Sequence, residues 1–391
     1  MPRSQVSRWV KAERIANIRL TLENMEEDKV AGKVIQVLMS TYNGDEYLKE
    51  QIDSILAQDC EKKAGTKLKL LIRDDGSKDG TQKILGEYAK KYPETIEWYQ
   101  GQNVGVIKSF FDLVVKSDEK ADYYAFSDQD DYWHKDKLSA GITNIDKMSK
   151  EKDTKKNMPL LYCCSPMLVD ENLKELNNEM TRKLKKPAFE NAVVENIVTG
   201  CTLVMNKTLR DMAKAHQPEF TVMHDWWFYL LASCYGKVYY DMEQHISYRQ
   251  HGSNTVGYNV SKTKEFKDRL KRFKRNRRNI SRQLSEFVHI HEKYRKDTSC
   301  FKTTANNKVD DISQKNVAKS HEKETTVPLN EEILKSSSVK SKIVMAKRLA
   351  EYRGNIKYLP KRMTLVKEAG IYRQRKTDNR IFKLILILGS Y

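Results

Sequence analysis

The chain has 391 residues, of which 39% are hydrophobic and 32% charged, enough apolar material for one large or two ordinary globular domains. A formal net charge of +18 indicates an anionic partner, such as a phosphorylated substrate, an acidic membrane surface or a nucleic acid. No uninterrupted apolar run approaches the roughly 20 residues of a membrane-spanning helix. The six cysteines form no CxxC pair, so we expect reduced, buried thiols in a cytoplasmic protein.

The pattern of a regular fold begins after residues 1–32, which we interpret as an N-terminal extension. The run Val34–Met39 is rich in β-branched residues and predicts a buried strand, which ends in the turn Ser40-Thr-Tyr-Asn-Gly44. An apolar stripe over Glu46–Gln58 then predicts a helix. Strand, loop and helix make the first half of a βαβ unit.

A second predicted strand, Leu68–Ile72, ends in the polar run Arg73-Asp-Asp-Gly-Ser77. Loops at the carboxyl ends of strands frame the ligand crevice of an open α/β sheet. Either Asp74 or Asp75 can accept the imide N–H of a pyrimidine base. The alternative is that Asp74-Asp-Gly-Ser77 is only an ordinary turn. A short strand and the loop Asn103-Val-Gly105 follow, so that β and α alternate and predict a mainly parallel sheet.

The next strand end is acidic, because the apolar run Tyr124-Ala-Phe-Ser127 leads into Asp128, Asp130 and Asp131. Strand interiors disfavour aspartate, and ionised carboxylates near a core repel one another, so the cluster favours a bound cation. Mg²⁺ and Mn²⁺ prefer such oxygen ligands. The alternative is a solvated turn that caps a helix starting near His134.

The segments Ser40–Gly44, Arg73–Ser77, Asn103–Gly105 and Ser127–Asp131, in this order and spacing, resemble the nucleotide-binding half of the family 2 glycosyltransferases. The resemblance covers about residues 33–257. It implies an α/β, GT-A Rossmann-like fold with a mostly parallel sheet and flanking helices. It also implies an inverting, metal-dependent transfer from a nucleoside-diphosphate sugar whose base contacts the Asp-Asp-Gly-Ser aspartate and whose diphosphate is bound through Mg²⁺ or Mn²⁺. The residues expected at the nucleotide are Thr41, Tyr42, Asn43, Asp74, Asp75, Asn103, Gly105 and Asp128.

The acceptor side is expected at two later segments. Gly200, within Ile197–Met205, either lets the backbone approach a sugar or forms a strand bulge. In Met223-His-Asp-Trp-Trp-Phe-Tyr229, Asp225 resembles the catalytic base of the family, and its alternative role is a helix cap. Trp226 and Trp227 cannot share a helix face, so one packs inward and the other offers a surface to a sugar. The chain has His-Asp where the family more often has Glu-Asp, which leaves the role of His224 open.

A third segment, Tyr248-Arg-Gln-His251, resembles the downstream histidine motif of the family. His251 would complete the metal site with Asp128 and Asp130, and Arg249 would hold the diphosphate bidentately; a lone histidine is as often a surface or core residue. The stretch 224–256 most resembles bacterial rhamnosyltransferases of cell-wall and capsular polysaccharide assembly. That resemblance implies transfer of L-rhamnose from dTDP-rhamnose, or of a hexose from a UDP-sugar, to an oligosaccharide or lipid-linked acceptor.

Residues 258–391 are predicted to be a basic, mainly helical and partly flexible extension. Residues 261–280 hold ten Lys or Arg against two acidic residues. Residues 301–340 are rich in Ser, Thr, Lys and Asn, so we expect this stretch to be flexible. The apolar end, Ile381–Leu388, is too short to span a bilayer. We favour an anchor to the anionic inner face of the plasma membrane over an RNA-binding appendage, because basic amphipathic helices bind anionic leaflets and the resemblance implies acceptors that are often lipid-linked. A nucleic-acid-binding protein is a separate alternative, but the aromatic residues show no base-stacking motif.

A nucleotidyltransferase is a further alternative, since it also uses an α/β sheet and acidic metal ligands. Such an enzyme usually needs a glycine-rich phosphate loop with a lysine near the first strand. The turn Ser40–Gly44 has no such loop.

Overall fold

The computed structural model describes residues 32–176, 184–252, 278–307, 329–354 and 356–391. The strands are β1 Lys33–Thr41, β2 Thr66–Asp74, β3 Ile96–Gln100, β4 Tyr123–Ser127, β5 Tyr132–Trp133, β6 Leu160–Cys164, β7 Met167–Val169, β8 Val204–Asn206, β9 Lys237–Asp241 and β10 Ile246–Arg249. The helices up to the end of the central sheet are α1 Leu48–Leu56, α2 Cys60–Ala64, α3 Thr81–Lys91, α4 Val106–Lys116, α5 Lys137–Ser149, α6 Phe189–Ala192, α7 Lys207–Ala215 and α8 His224–Tyr235. The later helices are α9 Asn279–Asn307, α10 Glu331–Lys335, α11 Ser337–Glu351, α12 Leu359–Glu368 and α13 Lys376–Leu388.

Seven strands form the central sheet in the order β3-β2-β1-β4-β8-β6-β9. Strand β1 pairs in parallel with β2 and β4, β2 with β3, and β6 with β9, whereas β8 runs antiparallel to β4 and β6. The predicted mostly parallel α/β sheet is confirmed. Thr41 pairs with Asp74, and Met39 pairs with Ser127. The polar loops after β1, β2 and β4 therefore leave the sheet at one edge.

Helices cover both faces of this sheet. Successive residues of a strand point to opposite faces, so Leu38 and Phe126 belong to one apolar core while Val37 and Met39 belong to the other. The five cysteines whose side chains are described, Cys60, Cys163, Cys164, Cys201 and Cys234, are free and buried, as predicted. The sheet is thus rigid under the loops that it carries at its edge.

A second, small sheet lies beside that edge. Strand β10 is its centre, with β5 antiparallel on one side and β7 parallel on the other. Ile246 is opposite Trp133 in this pairing. Because β5 follows directly after Asp131, the pairing brings the acidic turn next to the segment Arg249–His251.

The C-terminal helices pack against the sheet-bearing part of the chain. The ring of Phe287 in α9 lies 5.7 Å from that of Trp227, centroid to centroid, and the hydroxyl of Tyr294 donates to the backbone oxygen of Met212 at 2.7 Å. The predicted boundary at residue 258 and most of the basic stretch 261–280 lie outside the described residues. The helices beyond them share one apolar core with α8.

Part of the stretch predicted to be flexible is helical. Helix α10 begins after Asn330, whose side chain accepts a hydrogen bond from the N–H of Glu332, and α11 begins after Ser336, which accepts from the N–H of Val339. Both caps satisfy N–H groups that a helix start leaves free, and Ile333 is buried between them. The prediction of flexibility is therefore wrong for residues 331–340. No helix within the described ranges has both the length and the apolar character needed to cross a bilayer.

Candidate active site

The loops after β1, β2 and β4 interlock through side-chain to backbone hydrogen bonds. The amide of Gln129 accepts from the N–H of Tyr42 at 2.8 Å and donates to its carbonyl oxygen at 3.2 Å. Ser77 accepts from the N–H of Asn43 at 2.9 Å, and Asn43 accepts from the N–H of Lys78 at 2.9 Å. Asn43 sits at φ +47, a left-handed conformation that asparagine tolerates. The three loops therefore form one rigid surface at the sheet edge.

Both aspartates of the Asp-Asp-Gly-Ser segment are buried, and each organises a different part of this surface. Asp74 accepts hydrogen bonds from Thr41 at 3.2 Å, from Gln82 at 2.9 Å and from the N–H of Ser77 at 3.1 Å. Asp75 pairs with Arg73 and accepts from the N–H groups of Val104 and Gly105. The structure thus joins Thr41, Tyr42, Asn43, Asp74, Asp75 and the Asn103–Gly105 loop, with Tyr42, Asn103 and Gly105 exposed.

Three carboxylates follow β4, as predicted, but they do not form one group. Asp128 and Asp131 lie with the thiol of Cys201, their potential ligand atoms all within 4.8 Å of one another. Asp130 instead contacts His251, with 2.9 Å between Oδ2 and Nε2. The three residues of the predicted metal site are therefore divided: Asp130 and His251 contact each other, whereas Asp128 lies with Asp131.

This donor set fits a hard divalent cation. Oδ2 of Asp131 is buried and has no hydrogen-bond partner among the described residues, although Oδ1 accepts from the N–H of Arg249 at 3.2 Å. Burial raises the pKa of both the Cys201 thiol and the Asp131 carboxyl well above their usual ranges, and a bound hard cation would favour the ionised carboxylate oxygens over the sulfur. Mg²⁺ and Mn²⁺ prefer oxygen ligands of this kind.

Asp225 lies in the first turn of α8 and is buried. Its Oδ2 accepts from the N–H of Gly200 at 3.1 Å, and its Oδ1 accepts from the N–H of Trp226 at 2.6 Å. Met223 occupies the cap position of the helix, so the alternative role of Asp225 as the helix cap is wrong. Burial raises the pKa of Asp225 to about 7.

The Asp225 carboxylate is electrostatically coupled to the acidic turn after β4. Burial and the charges of Asp130 and Asp225 raise the pKa of Asp128 to about 7. Two motifs that are almost one hundred residues apart in sequence are therefore close in space, because Gly200 donates to Asp225 while the adjacent Cys201 lies with Asp128 and Asp131. A carboxyl group poised near neutral pH beside a candidate cation site can take a proton while the cation neutralises an anionic leaving group.

His224 is packed as an apolar residue. Its ring stacks on Phe110, with centroids 4.0 Å apart, and meets Phe126 edge-on at 5.4 Å. Neither ring nitrogen has a hydrogen-bond partner among the described residues. Burial lowers the pKa of His224 to about 3, so the ring is neutral. His224 thus adds no charge beside Asp225.

The two tryptophans divide as helix geometry requires. Trp227 is 0% exposed and packs on Phe287 in the core, so the prediction of an acceptor-binding role for Trp227 is wrong. Trp226 is half-buried, and its indole N–H donates to the carbonyl oxygen of Ala192 at 2.6 Å. Gly200 is also buried, in a 3₁₀ turn rather than a strand bulge, and contacts the base candidate instead of open space.

Arg249 has no free edge for a diphosphate, because it is 2% exposed and already paired. Its guanidinium donates to the carbonyl oxygen of Asp130 at 2.8 Å and pairs with Glu50, and it lies 4.4 Å from the ring centroid of Tyr47. The prediction that Arg249 binds the nucleotide is wrong in this geometry. Arg249 instead ties β10 to the acidic turn and so positions Asp130 and His251.

Several residues of the site were given no role from the sequence. Gln129 and Arg73 stand inside the predicted motifs, and only their hydrogen bonds show that they hold the loops together. Nothing in the sequence marks Lys137 as a site residue, since a single lysine at a helix start is ordinary. It is buried, its ammonium lies 3.4 Å from the Trp133 ring centroid, and burial lowers its pKa to about 8. Its charge lies near Asp131 and offsets part of the acidic cluster.

Comparison with known proteins finds similarity to glycosyltransferases. The family described as Glycosyl transferase family 2 matches residues 36–151. The dTDP-rhamnosyl transferase RfbG of Shigella flexneri is 30% identical over 244 residues, which cover 60% of this chain and 77% of RfbG. The putative teichuronic acid biosynthesis glycosyltransferase TuaG of Bacillus subtilis is 30% identical over 105 residues, 27% of this chain and 39% of TuaG. A crystal structure of S. aureus TarS 1–349 in complex with UDP-GlcNAc superposes with a TM-score of 0.45 and 17% identity, covering 64% of this chain and 66% of that one.

Proposed function

The chain belongs to glycosyl transferase family 2, and from that premise we propose that it transfers a sugar from a nucleoside diphosphate to an acceptor hydroxyl with inversion at the anomeric carbon. The observation that carries this proposal is that the turn Gly200–Thr202 links Asp225 to the acidic turn: the N–H of Gly200 donates to Asp225, and the thiol of Cys201 lies with Asp128 and Asp131. An inverting transfer needs a base on one side of the sugar and charge neutralisation on the other. Asp225 supplies the base, and a divalent cation held by the carboxylates of the turn would supply the charge neutralisation, so no covalent enzyme intermediate is needed.

In this proposal the loops at the sheet edge bind the nucleotide. The exposed residues Tyr42, Asn103 and Gly105 contact it directly, while Thr41, Asn43, Asp74 and Asp75 shape the pocket through their hydrogen bonds. An aspartate of the Asp-Asp-Gly-Ser segment accepts the imide N–H that uracil and thymine share. Because both carboxylates are bonded within the protein, reading the base requires one of these bonds to open.

We assign the metal to Asp128 and Asp130, with His251 beside Asp130 and Asp131 beside Asp128. Mg²⁺ or Mn²⁺ bound there would neutralise the charge that develops on the departing diphosphate. Arg249 fixes the turn by donating to the carbonyl oxygen of Asp130, so the carboxylate is oriented before a ligand arrives. The ring of His251 contacts the carboxylate of Asp130 itself and so helps to orient it.

Asp225 is the proposed catalytic base. It accepts the acceptor hydroxyl proton on the carboxylate that Gly200 and Trp226 hold through their N–H groups. Burial raises the pKa of Asp225 to about 7. A general base works best when its pKa lies near the pH of the reaction. Trp226, half-buried beside it, is the remaining tryptophan that can border the acceptor.

The donor that we infer is dTDP-L-rhamnose, with a UDP-hexose as the second candidate. The inference rests on the similarity to RfbG and on the resemblance of residues 224–256 to rhamnosyltransferases. The acceptor is inferred to be a surface polysaccharide or a lipid-linked precursor, in keeping with the putative role of TuaG in teichuronic acid biosynthesis. A nucleotidyltransferase or a nucleic-acid-binding protein gains no support from the family.

Donor hydrolysis by the purified full chain tests the proposal. We expect release of dTDP or UDP from one sugar of a panel of dTDP-, UDP- and GDP-sugars when Mn²⁺ or Mg²⁺ is present, and inhibition by dTDP or UDP that exceeds inhibition by GDP. Asp225→Asn serves as the paired variant, because it should keep nucleotide binding and lose transfer. Release from no sugar of the panel, or equal inhibition by GDP, would contradict the proposed donor class.

A further inference from the structure

We propose that the outer face of helix α13 docks on an anionic lipid surface. The three most exposed large hydrophobic side chains among the described residues all lie on this face: Ile381 is 54% exposed, Leu384 58% and Leu388 61%. Their spacing of three and four residues places them on one side of the helix. Single exposed apolar residues are ordinary, but a contiguous stripe of three marks a contact surface.

The helix is held firmly, so the stripe is a fixed feature. Phe382 and Leu386 on the opposite face are buried in the core. The guanidinium of Arg362 in α12 donates to the carbonyl oxygen of Ile387 at 2.8 Å, and the last residue, Tyr391, donates through its hydroxyl to the carbonyl oxygen of Leu349 at 2.6 Å. Turning the helix to hide the stripe would break these contacts.

The charges near the stripe favour an anionic lipid surface as its binding partner. Residues 356–391 contain nine Lys or Arg and two acidic residues. Lys376 and Arg380 are exposed on the same helix, and Arg380 lies one turn before Leu384 at the edge of the stripe. A helix with apolar side chains beside basic ones lies in the interface of an anionic bilayer, where the apolar groups enter the acyl boundary and the ammonium and guanidinium groups meet phosphates. A second copy of this chain would bring the same positive charges together.

The position of α13 gives this docking a consequence for the site. The residues just before the helix contact the segment 185–196: the N–H of Gln374 donates to Glu195 at 2.7 Å, and Tyr372 donates through its hydroxyl to the carbonyl oxygen of Lys186 at 2.6 Å. The same segment accepts the indole N–H of Trp226 at Ala192. This step rests on the proposed function: if the acceptor is lipid-linked, docking of α13 on the lipid would be connected through these contacts to the segment that bonds Trp226, the neighbour of Asp225.

Vesicle co-sedimentation of the full chain tests the docking. We expect binding to vesicles that contain phosphatidylglycerol, little binding to pure phosphatidylcholine, and loss of binding as salt rises. The triple variant Ile381→Gln, Leu384→Gln, Leu388→Gln keeps helix-forming residues and should lower the partition coefficient by about tenfold or more. The control variant Met242→Gln, Val344→Gln removes two other exposed apolar side chains, 41% and 47% exposed, and should bind as the unchanged chain does.

Equal binding by the triple variant and the unchanged chain would overturn the proposal, and so would equal binding to charged and uncharged vesicles. If the triple variant instead converts a dimer to a monomer in light scattering and vesicle binding is absent throughout, the stripe is an interface between copies. Donor hydrolysis in solution serves as the folding control and should be unchanged in both variants. Because that assay reads the proposed transferase and sedimentation reads the docking, either can fail without the other.

Discussion

The backbone N–H of Gly200 donates to Oδ2 of Asp225 at 3.1 Å, and the glycine leaves no room for a side chain beside it. A Cβ at position 200 would lie 2.9 Å from Nε2 of His224, a separation below normal van der Waals contact, and 3.6 Å from Oδ2 of Asp225. The buried ring of His224 cannot retreat, because Phe110 and Phe126 hold it on other sides. Gly200 therefore fixes where the carboxylate points.

Gly200→Ala should lower turnover while nucleotide binding is retained. The added methyl group pushes His224 and the start of α8, and a shift of about 1 Å at a catalytic group can cost on the order of 100-fold in rate. Donor hydrolysis and nucleotide affinity, measured on the same preparation, separate the two effects. Gly86→Ala is the matched control, since Gly86 lies inside helix α3 with nothing within 4 Å of the new methyl group.

The control should gain stability by about 0.5–1 kcal/mol, because alanine loses less conformational entropy in a helix than glycine does. Its rate should equal that of the unchanged chain. A Gly200→Ala variant with full turnover would show that the contact to Asp225 does not position the base.

Alanine substitutions of the two adjacent tryptophans should differ in their effect on the free energy of unfolding. Trp227→Ala empties a fully buried site and should cost about 3–5 kcal/mol in free energy of unfolding. Trp226→Ala removes a half-buried ring and its hydrogen bond to Ala192 and should cost about 1–2 kcal/mol. Urea denaturation of both variants measures the difference. A cost for Trp226 as large as that for Trp227 would place both rings in the core and remove Trp226 from the acceptor side.

The sequence pattern predicted the first strands of this fold, because buried strands are rich in β-branched and other apolar residues. The predicted strands Val34–Met39 and Leu68–Ile72 lie within β1 and β2, and the motifs after β1, β2 and β4 do meet at one edge. That Asp225 approaches Asp128 did not follow from local pattern. The meeting depends on how α8 crosses the sheet, and that is decided by packing over distant parts of the chain.

The predictions that failed concern side chains whose partners come from elsewhere in sequence. Nothing near Arg249 indicates that Glu50 and the backbone of Asp130 occupy its guanidinium. Helix geometry requires Trp226 and Trp227 to diverge but does not say which of them faces the core. For residues 331–340 the signals were present, since Asn330 and Ser336 are good helix caps, but the polar composition outweighed them.

Transfer should require a divalent cation and the carboxylates of the β4 turn. Asp130→Ala should abolish turnover, with Asp128→Ala close behind, because each removes an oxygen ligand and leaves the diphosphate charge without compensation. Chelator followed by Mg²⁺ or Mn²⁺ titration measures the requirement. Asp153→Ala, whose 79% exposed side chain pairs with Lys237 outside the site, is the matched control and should behave as the unchanged chain does.

Full turnover in excess chelator would contradict the metal assignment. Nucleotide affinity measured with and without Mn²⁺ gives a readout independent of chemistry. It should fall without the cation in the unchanged chain, and this dependence should disappear in Asp130→Ala.

The last prediction concerns the proton that the acceptor loses. Asp225→Asn keeps the shape of the side chain and cannot take a proton, so kcat should fall by a factor on the order of 10²–10⁴ while nucleotide affinity is nearly unchanged. The pKa of Asp225 is raised to about 7 by burial, and a base works only when ionised. Measured at saturating Mg²⁺ or Mn²⁺, which keeps Asp128 ionised, turnover of the unchanged chain should therefore fall about tenfold for each pH unit below about 7, and the residual turnover of the variant should lack this dependence.

Stability should respond to the same substitution in the opposite direction. A carboxyl group whose folded pKa is raised binds its proton more tightly in the native state, so the stability that this proton contributes is lost as pH rises from about 4 to about 7. Asp225→Asn has no charge to bury and should unfold at a higher temperature than the unchanged chain above pH 7, with the gap closing in acid. Lower stability together with normal turnover would mean that Asp225 only supports the helix start, and a product that keeps the anomeric configuration of the donor would contradict the inverting mechanism.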